Sequence, residues 1–356
     1  MHPNKPKRHN VCHTSQESFV IMRPFIFVLF AGCSVHIPLE YMEPAGFTVP
    51  PEIQRIAIID RLTNEHSFKV LYTLRDELAS GPRFEVVTNE AAQSAYIASG
   101  LLVGQALTAE AAQSICKKTT ASGIVSLNGI GLHKKMTVES NDEERTEVQR
   151  QRKSDGSEEE VEVTKTVTVY TYTNTQRAHS NWDLLNCDGE SLNQHIVELT
   201  GTSVTTSEQP PSSSDGTFLS INPQGDKDRA DELLGKVGRR YSTQISPWNA
   251  RVSRRIYRGG NSDIRSGRKA AIAGDWNAAY ENWKRSAKKG NADSPKAWLN
   301  LAVHHEQKGN LKIALKYAKR ASKAIGKPWV HAYVADLEER IEKKIQLGQQ
   351  LGADSE

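Results

Sequence analysis

The sequence predicts an α/β domain, a mixed sheet with flanking helices, followed by an all-α region of helical hairpins. Short apolar runs alternate with amphipathic segments between residues 55 and 127, which is the pattern of a parallel sheet covered by helices. Near the end of the chain, residues 274–279 align with residues 309–314 at an offset of 35 residues. A period in that range is typical of stacked helical hairpins.

The N-terminal segment, residues 1–33, carries an apolar run from 24 to 33 that follows Arg23. The run is shorter than the about 20 residues of a bilayer-spanning helix and fits a signal peptide. Its ending, Leu-Phe-Ala-Gly-Cys, resembles a bacterial lipobox, which implies lipid attachment to Cys33; the alternative is a buried strand with a chance cysteine. Residues 1–21 are polar and are interpreted as the product of a misassigned start codon.

The residue after the predicted lipid site is Ser34, where lipoproteins of the inner membrane carry Asp, and no acidic run for surface display follows. We therefore expect a lipid-anchored protein of the bacterial outer membrane that faces the periplasm. Cys116 and Cys187 can form a disulfide in that oxidising compartment, but the sequence favours two buried free thiols. The cysteine spacing supports no metal site.

The α/β domain is predicted over residues 34–225. Its first strand, 55–60, is a nearly continuous apolar run, as expected where both faces of a strand are covered. The other expected elements are a proline-containing approach at 35–51, a helix at 66–78, a strand at 84–87, a helix at 108–118 and a strand at 123–127.

A charged insertion at about 140–160 divides two alternating segments, 132–139 and 161–173, which are predicted to pair as antiparallel strands. We expect the insertion to form a mobile hairpin tip or a short charged helix. After these strands come a predicted strand and turn at 181–189, a loop at 200–216, and, within 226–260, a connecting helix at 226–246 and a basic segment.

The helical hairpins are predicted over residues 261–345, with a disordered tail at 346–356. In the second copy, Trp298 and Leu301 share one face of the first helix and Gly309 supplies the turn. The second helix then presents small residues for close packing: Ala314, Ala318 and Ala321.

This second copy resembles the tetratricopeptide repeat, and an ordinary helical hairpin is the alternative. The first copy, 264–287, matches less well because no large aromatic residue precedes Gly267. A helix at 329–345 is expected to cap the stack, since a terminal repeat needs a polar outer face.

The net charge of +4 is spread unevenly along the chain. Residues 251–345 contain 22 Lys and Arg against 9 Asp and Glu, a net charge of +13, whereas residues 137–163 contain 4 against 10, a net charge of −6. A basic helical half attracts anionic surfaces; a solvated repeat exterior is the alternative.

Four arginines, Arg251, Arg254, Arg255 and Arg258, recur at helical spacings of three and four and are predicted to share one face. Phospholipid head groups, lipopolysaccharide or an acidic protein would suit this face, and internal pairing with carboxylates is the alternative. Nucleic acid is not expected as a partner, because no aromatic residues suited to base stacking are interleaved.

The resemblance to peptide-binding repeats also implies a groove. Lys296 and Asn300 occupy the second and sixth positions of their first helix. Together with Arg265 they are predicted to hold the carboxylate of a partner peptide through charge-assisted hydrogen bonds.

The motifs of common enzymes are missing from the sequence: there is no GxxxxGK, HExxH or GxSxG. We therefore predict no catalytic residue, cofactor or metal. His304, His305 and Glu306 are adjacent on a helix and diverge, so they are interpreted as surface or groove residues. Asp60 and Asn128 follow predicted strands, and an enzyme or small-ligand site at those strand ends is the alternative.

Taken together, these segments resemble an uncharacterised family of Bacteroidota-type envelope lipoproteins with no established activity. The resemblance rests on the lipobox and on residues 51–61, 241–257 and 274–283. The predicted function is that of a lipid-anchored binding or scaffold protein, not an enzyme, whose short repeat stack binds unknown envelope proteins. Its oligomeric state is left open.

Overall fold

The computed structural model describes residues 34–208, 210 and 223–352. Seven strands lie within them: β1 (Ser34–Glu43), β2 (Arg55–Asp60), β3 (Glu85–Val86), β4 (Gly123–Arg152), β5 (Glu158–Asn186), β6 (Ser191–Ser207) and β7 (Trp248–Tyr257). The same residues hold nine helices: α1 (Glu65–Ser80), α2 (Asn89–Ile97), α3 (Ala109–Thr119), α4 (Pro223–Ile245), α5 (Ser262–Ile272), α6 (Trp276–Lys288), α7 (Ser294–Gln307), α8 (Leu311–Ile325) and α9 (Pro328–Gln350). The predicted signal peptide and Cys33 lie outside the described residues.

A five-stranded mixed sheet forms the centre of the α/β half, in the order β3-β2-β4-β5-β6. Strand β2 is parallel to β3 and β4, whereas β4, β5 and β6 are antiparallel. Ile56 and Ile58 of β2 pack with α1 and α4 on one face, and Ala57 and Ile59 pack with α2 and α3 on the other. Burial on both faces explains why β2 is continuously apolar.

Capping residues mark where the helices of this half begin. The side chain of Asn64 accepts a hydrogen bond from the backbone N–H of Ser67 at the start of α1, and Thr108 caps α3 as expected. Pro247 follows the end of α4, which agrees with the prediction. Helix α2 was not predicted, because its nine residues are rich in small side chains and lack a clear apolar period.

A disulfide joins Cys116 of α3 to Cys187 in the turn after β5. The interpretation of two free thiols is therefore wrong. The two cysteines are 71 residues apart in the chain, and only the packing of α3 beside the end of β5 brings their Cα atoms to 5.8 Å.

The antiparallel pairing of the two alternating segments is confirmed, but the strands are far longer than predicted. β4 has 30 residues and β5 has 29, and they pair as far as Arg152 and Glu158 around a turn at 153–157. The charged insertion is thus mostly strand, not a helix. The predicted strand at 181–189 continues β5, and β6 occupies much of the predicted loop at 200–216.

A separate two-stranded ribbon, β1 with β7, pairs antiparallel from Ser34 with Tyr257 to Glu43 with Trp248. The sequence predicted neither strand. Ile37, Leu39 and Ile256 cover one face of the ribbon with apolar surface and pack against the C-terminal helices. We call β1 and β7 together the ribbon.

The C-terminal helices pack in succession, α5 with α6, α7 with α8, and α8 with α9. Gly274 and Gly309 end the first helix of each hairpin with φ of 83° and 73°, the left-handed region that favours glycine. A Cβ on Gly267 would lie 2.4 Å from Nε1 of Trp283, so glycine there permits close contact of α5 with α6. Because α9 continues to Gln350, residues 346–350 of the predicted tail are helical.

Candidate functional site

The face of α7 and α9 on which a groove was predicted is covered by the ribbon. Asn300, which is fully buried, accepts a hydrogen bond from the backbone N–H of Tyr257 at 2.8 Å and donates one to its carbonyl at 3.0 Å. Its amide therefore occupies the position that a neighbouring strand would take beside β7. The prediction that Asn300 holds a partner's carboxylate is wrong, because both of its polar groups hold the protein's own strand.

The other two predicted peptide contacts lie at the start of the hairpins. Nζ of Lys296 is 2.8 Å from a carboxylate oxygen of Asp293, and Arg265 donates to the carbonyl of Gly260 at 2.7 Å. Lys296 therefore pairs at the start of α7, and Arg265 holds the turn between β7 and α5. A role for them in binding a partner stays a prediction.

A buried carboxylate, Glu306, lies at the centre of the contact between ribbon and helices. Its two oxygens accept from Nε of Arg254 at 3.0 and 3.2 Å, and the Tyr333 hydroxyl donates to one of them at 2.8 Å. Arg340 of α9 also forms an ion pair with Glu306. We call Glu306, Arg254, Arg340 and Tyr333 the buried clamp.

Charge and burial act together in the buried clamp. The Glu306 side chain is fully buried and that of Arg254 is 11% exposed, so their attraction is weakly screened. Burial lowers the pKa of Arg254, but the attraction and hydrogen bonds of Glu306 outweigh it, and the pKa lies above its ordinary value. Burial, and then Glu306, raise the pKa of Tyr333 well above its ordinary value, so Tyr333 stays a hydrogen-bond donor.

The four arginines of the predicted anionic-surface site do not share a face, because most of them lie on a strand. Arg251 and Arg255 point to one side of β7 and Arg254 to the other, as alternation requires. Arg251 pairs with Glu40, and Arg254 pairs with Glu306 and Asp336. The shared helical face is therefore wrong, and Arg254 fits the alternative of internal pairing. Arg258 follows the strand and is exposed.

The pair of adjacent histidines packs among aromatic rings. His304 lies with its ring centre 4.9 Å from that of Tyr280, and His305 stacks on Tyr317 at 5.4 Å. Burial lowers the pKa of His304 to about 4. Within the described residues, no three His, Cys, Asp or Glu side chains are arranged to hold a metal ion.

The strand-end residues of the alternative site are bound to neighbouring groups. Asp60 accepts from the backbone N–H groups of Leu62 and Thr63 at 2.9 and 3.0 Å, and from the Ser67 hydroxyl at 2.8 Å. Asp60 therefore anchors the turn into α1.

Asn128, the second of these residues, links three chain segments. It accepts from Arg61 at 2.5 Å and donates to Asp183 at 2.8 Å. Neither it nor Asp60 is paired as a nucleophile with a base.

The largest projecting feature is the hairpin formed by the distal halves of β4 and β5. The last pair that includes β6 is Tyr170 with Ser207, and 12 further pairs of β4 with β5 extend beyond it. At 3.4 Å per residue this length is roughly 40 Å. We call residues 141–169 the arm; every residue from 141 to 160 is exposed in the described structure.

The arm is acidic, and its outer part, residues 141–160, is almost free of apolar residues. Nearer the sheet, one face of its second strand carries Val161, Val163, Val167 and Val169, of which Val169 is buried. It contains 5 Lys and Arg against 9 Asp and Glu, a net charge of −4. Cross-strand ion pairs such as Lys165 with Glu147 and Arg150 with Glu160 lie along it. Among the described residues, Glu208 beyond β6 also contacts it, through Arg145.

Comparison with known proteins gives one match. Residues 265–339, which run from within α5 to the middle of α9, match a domain of unknown function (DUF6340). No curated protein and no solved structure matches the chain. In the part of the chain that the structure describes, no helix has both the length and the hydropathy needed to cross a bilayer.

Proposed function

We propose that the protein is a lipid-anchored, periplasm-facing scaffold of the bacterial outer membrane that binds another envelope protein through its arm. The observation that carries the proposal is the arm itself, which is exposed from residue 141 to 160 and extends roughly 40 Å beyond β6. A two-stranded hairpin without a packed face adds little to domain stability. Its open edges and charges suit association with a second protein.

The helical region has a supporting role in this proposal, as a short tetratricopeptide-like stack. Two hairpins with equivalent left-handed glycines, Gly274 and Gly309, support that interpretation, as do the fully buried Ala314, Ala318 and Ala321. Because the ribbon covers the face of the predicted groove, we assign partner binding to the arm. The match to a domain of unknown function agrees with an uncharacterised family.

The partner's chemistry follows from the arm's charge. The arm has a net charge of −4, and no described strand pairs with either of its edges over 12 residue pairs, so it fits a basic surface or an exposed strand edge. We expect an envelope protein with such a basic surface.

An arm deletion tests the proposal. Residues 143–167 are replaced by Asn-Gly, which joins Asp142 to Thr168, a cross-strand pair, through a two-residue turn. Cross-linking in envelope fractions followed by affinity purification should recover a specific partner with the wild type and lose it with the deletion, while the melting temperature stays the same.

The matched control replaces only the turn residues 153–157 with Asn-Gly, which joins Arg152 to Glu158 and keeps the arm's faces. The control should retain the partner. Equal recovery by wild type and arm deletion would refute binding through the arm. The lipid anchor is tested separately, since Cys33→Ser should release the protein from the membrane.

An enzyme or small-ligand-binding protein with a site at the strand ends is the alternative. The polar groups of Asp60 and Asn128 are bound to backbone groups, Ser67, Arg61 and Asp183, which favours structural roles for them. We assign no catalytic residue and no cofactor.

A further inference from the structure

The start of the ribbon lies one residue after the proposed lipid site, and the inference below rests on that anchor. Ser34 directly follows Cys33 and is already paired with Tyr257 of β7. The ring of Tyr257 is centred 5.7 Å from that of Trp329 at the start of α9. A lipid on Cys33 would therefore hold this end of the ribbon and of α9 at the membrane without a spacer.

Cations surround the same end of the molecule. The guanidinium of Arg255 lies 5.0 Å from the Trp329 ring centre, and Arg258 follows Tyr257 in the chain. Lys323 and Lys327 lie beside the turn from α8 to α9. A 2.7 Å hydrogen bond between the Ser322 hydroxyl and Nδ1 of His331 joins the two helices across this turn. We call these four cations, with Tyr257 and Trp329, the anchor-end patch.

The anchor-end patch lacks acidic partners. Over the described chain, none of its four cations forms an ion pair with a carboxylate. Residues 307–335 contain seven Lys and Arg and no Asp or Glu. A cavity of about 210 Å³ opens beside Arg255 and Trp329; its one acidic wall residue, Asp336, is paired with Arg254.

We propose that the anchor-end patch binds the anionic head groups of phospholipids, so that the protein lies directly on the leaflet that holds its lipid. Lys and Arg near a membrane are attracted to anionic lipid, and Trp and Tyr favour the interface between head groups and acyl chains. We favour phospholipid over an acidic protein as the ligand, because a lipid on Cys33 would place the anchor-end patch next to the membrane surface.

Vesicle binding without the lipid anchor tests this surface. The chain from Ser34 onward, which lacks the predicted lipid site, is mixed with phosphatidylcholine vesicles, with or without an equal part of phosphatidylglycerol. We expect sedimentation with the anionic vesicles only. Replacing Arg255, Arg258, Lys323 and Lys327 with Gln should weaken binding at least about tenfold, since each cation adds to the attraction.

A matched variant controls for net charge. Lys269, Lys308, Lys312 and Lys344 are exposed, lie towards the opposite ends of the helices and form no ion pair within the described chain. Their replacement with Gln makes the same change in charge and should leave binding within about twofold of the wild type. Equal loss in both variants, or no preference of the wild type for anionic vesicles, would overturn the proposal.

A measurement on the unmodified sequence guards against misfolded variants. Hydroxyl-radical footprinting should show Tyr257 and Trp329 protected on anionic vesicles, whereas Trp276, near the opposite end of the stack, keeps its reactivity. Protection of all three or of none contradicts the patch. Failure of the anchor is a separate result: a Cys33→Ser protein that stays membrane-bound in cells refutes the lipid, while vesicle binding still reports on the patch.

Discussion

The ribbon and the arm are both antiparallel two-stranded structures, yet they differ in what covers them. The ribbon buries Ile37, Leu39 and Ile256 against α7 and α9 and is fixed at one edge by Asn300. The arm is exposed from residue 141 to 160 and carries cross-strand ion pairs such as Lys165 with Glu147. Since a two-stranded sheet is marginal in water without a packed face, the ribbon belongs to the core and the arm is free to bind.

The largest expected difference in stability is between the loss of one carboxylate beneath the ribbon and the loss of one in the arm. Glu306→Gln leaves the buried Arg340 without its carboxylate and weakens the hold on Arg254, so we expect a loss of about 3–5 kcal/mol in the free energy of unfolding. Glu147→Gln in the arm removes an exposed pair and should cost less than about 0.5 kcal/mol. Urea unfolding followed by tryptophan fluorescence measures both; similar losses would remove the contrast.

The disulfide stabilises the sheet that carries the arm and not the ribbon. Replacing Cys116 and Cys187 together with Ser opens a loop closed over 71 residues and should cost about 2–4 kcal/mol. The loss should appear as faster amide exchange in α3 and β5, with exchange in the ribbon unchanged. Faster exchange in both would show that the two regions unfold as one unit.

A smaller effect is expected at the edge of the ribbon. Asn300→Ala leaves the buried N–H and carbonyl of Tyr257 without their partner, which costs about 1–3 kcal/mol. Lys296→Ala, on the same helix but in a partly exposed ion pair with Asp293, is the control and should change stability by less than about 0.5 kcal/mol. A neutral Asn300→Ala would mean that the edge of β7 is not held by the helix.

The smallest effect concerns pH. Because burial lowers the pKa of His304 to about 4, the neutral form is favoured in the fold, while the unfolded chain binds a proton near pH 6.5. The contribution of neutral His304 to the free energy of unfolding is therefore fully present above pH 6.5. It is lost as the pH drops towards 4, which lowers the stability of the helical region by about 1–2 kcal/mol.

Melting temperatures measured across that pH range check this sign. His304→Gln should flatten the fall, and His66→Gln in α1 should leave it as in the wild type. An unchanged slope in the His304 variant would show that another group is responsible.

Elements with a local pattern could be predicted from the sequence. β2 is apolar because both of its faces are covered, and the helical hairpins carry a repeated Gly and Ala pattern. The ribbon could not be predicted in this way, since Ser34 and Tyr257 are 223 residues apart and the arginines of β7, at 251, 254 and 255, follow no strict alternation. The arginines of β7 are spaced three and four residues apart, which is also the spacing of residues on one face of a helix, so the sequence indicated a basic helix.

The prediction for Asn300 failed for a related reason. The positions of Lys296 and Asn300 indicated a groove, and Asn300 does face an extended segment, but that segment belongs to the same chain. Glu306 is buried as an ion-pair partner of Arg254 in β7 and Arg340 in α9, and no local sequence pattern predicts these two contacts. The near absence of apolar residues from 141 to 160 was the signal that this part of the arm is unpacked.

Amide hydrogen exchange of the intact protein tests the central claim, that the ribbon fills its own groove while the arm is left free. Peptides covering 34–43 and 248–257 report on the ribbon, and peptides covering 141–169 report on the arm. We predict exchange in the ribbon at least about a hundredfold slower than in the arm, because ribbon amides open only when the helical core does. Equal exchange rates in the two regions would contradict the claim.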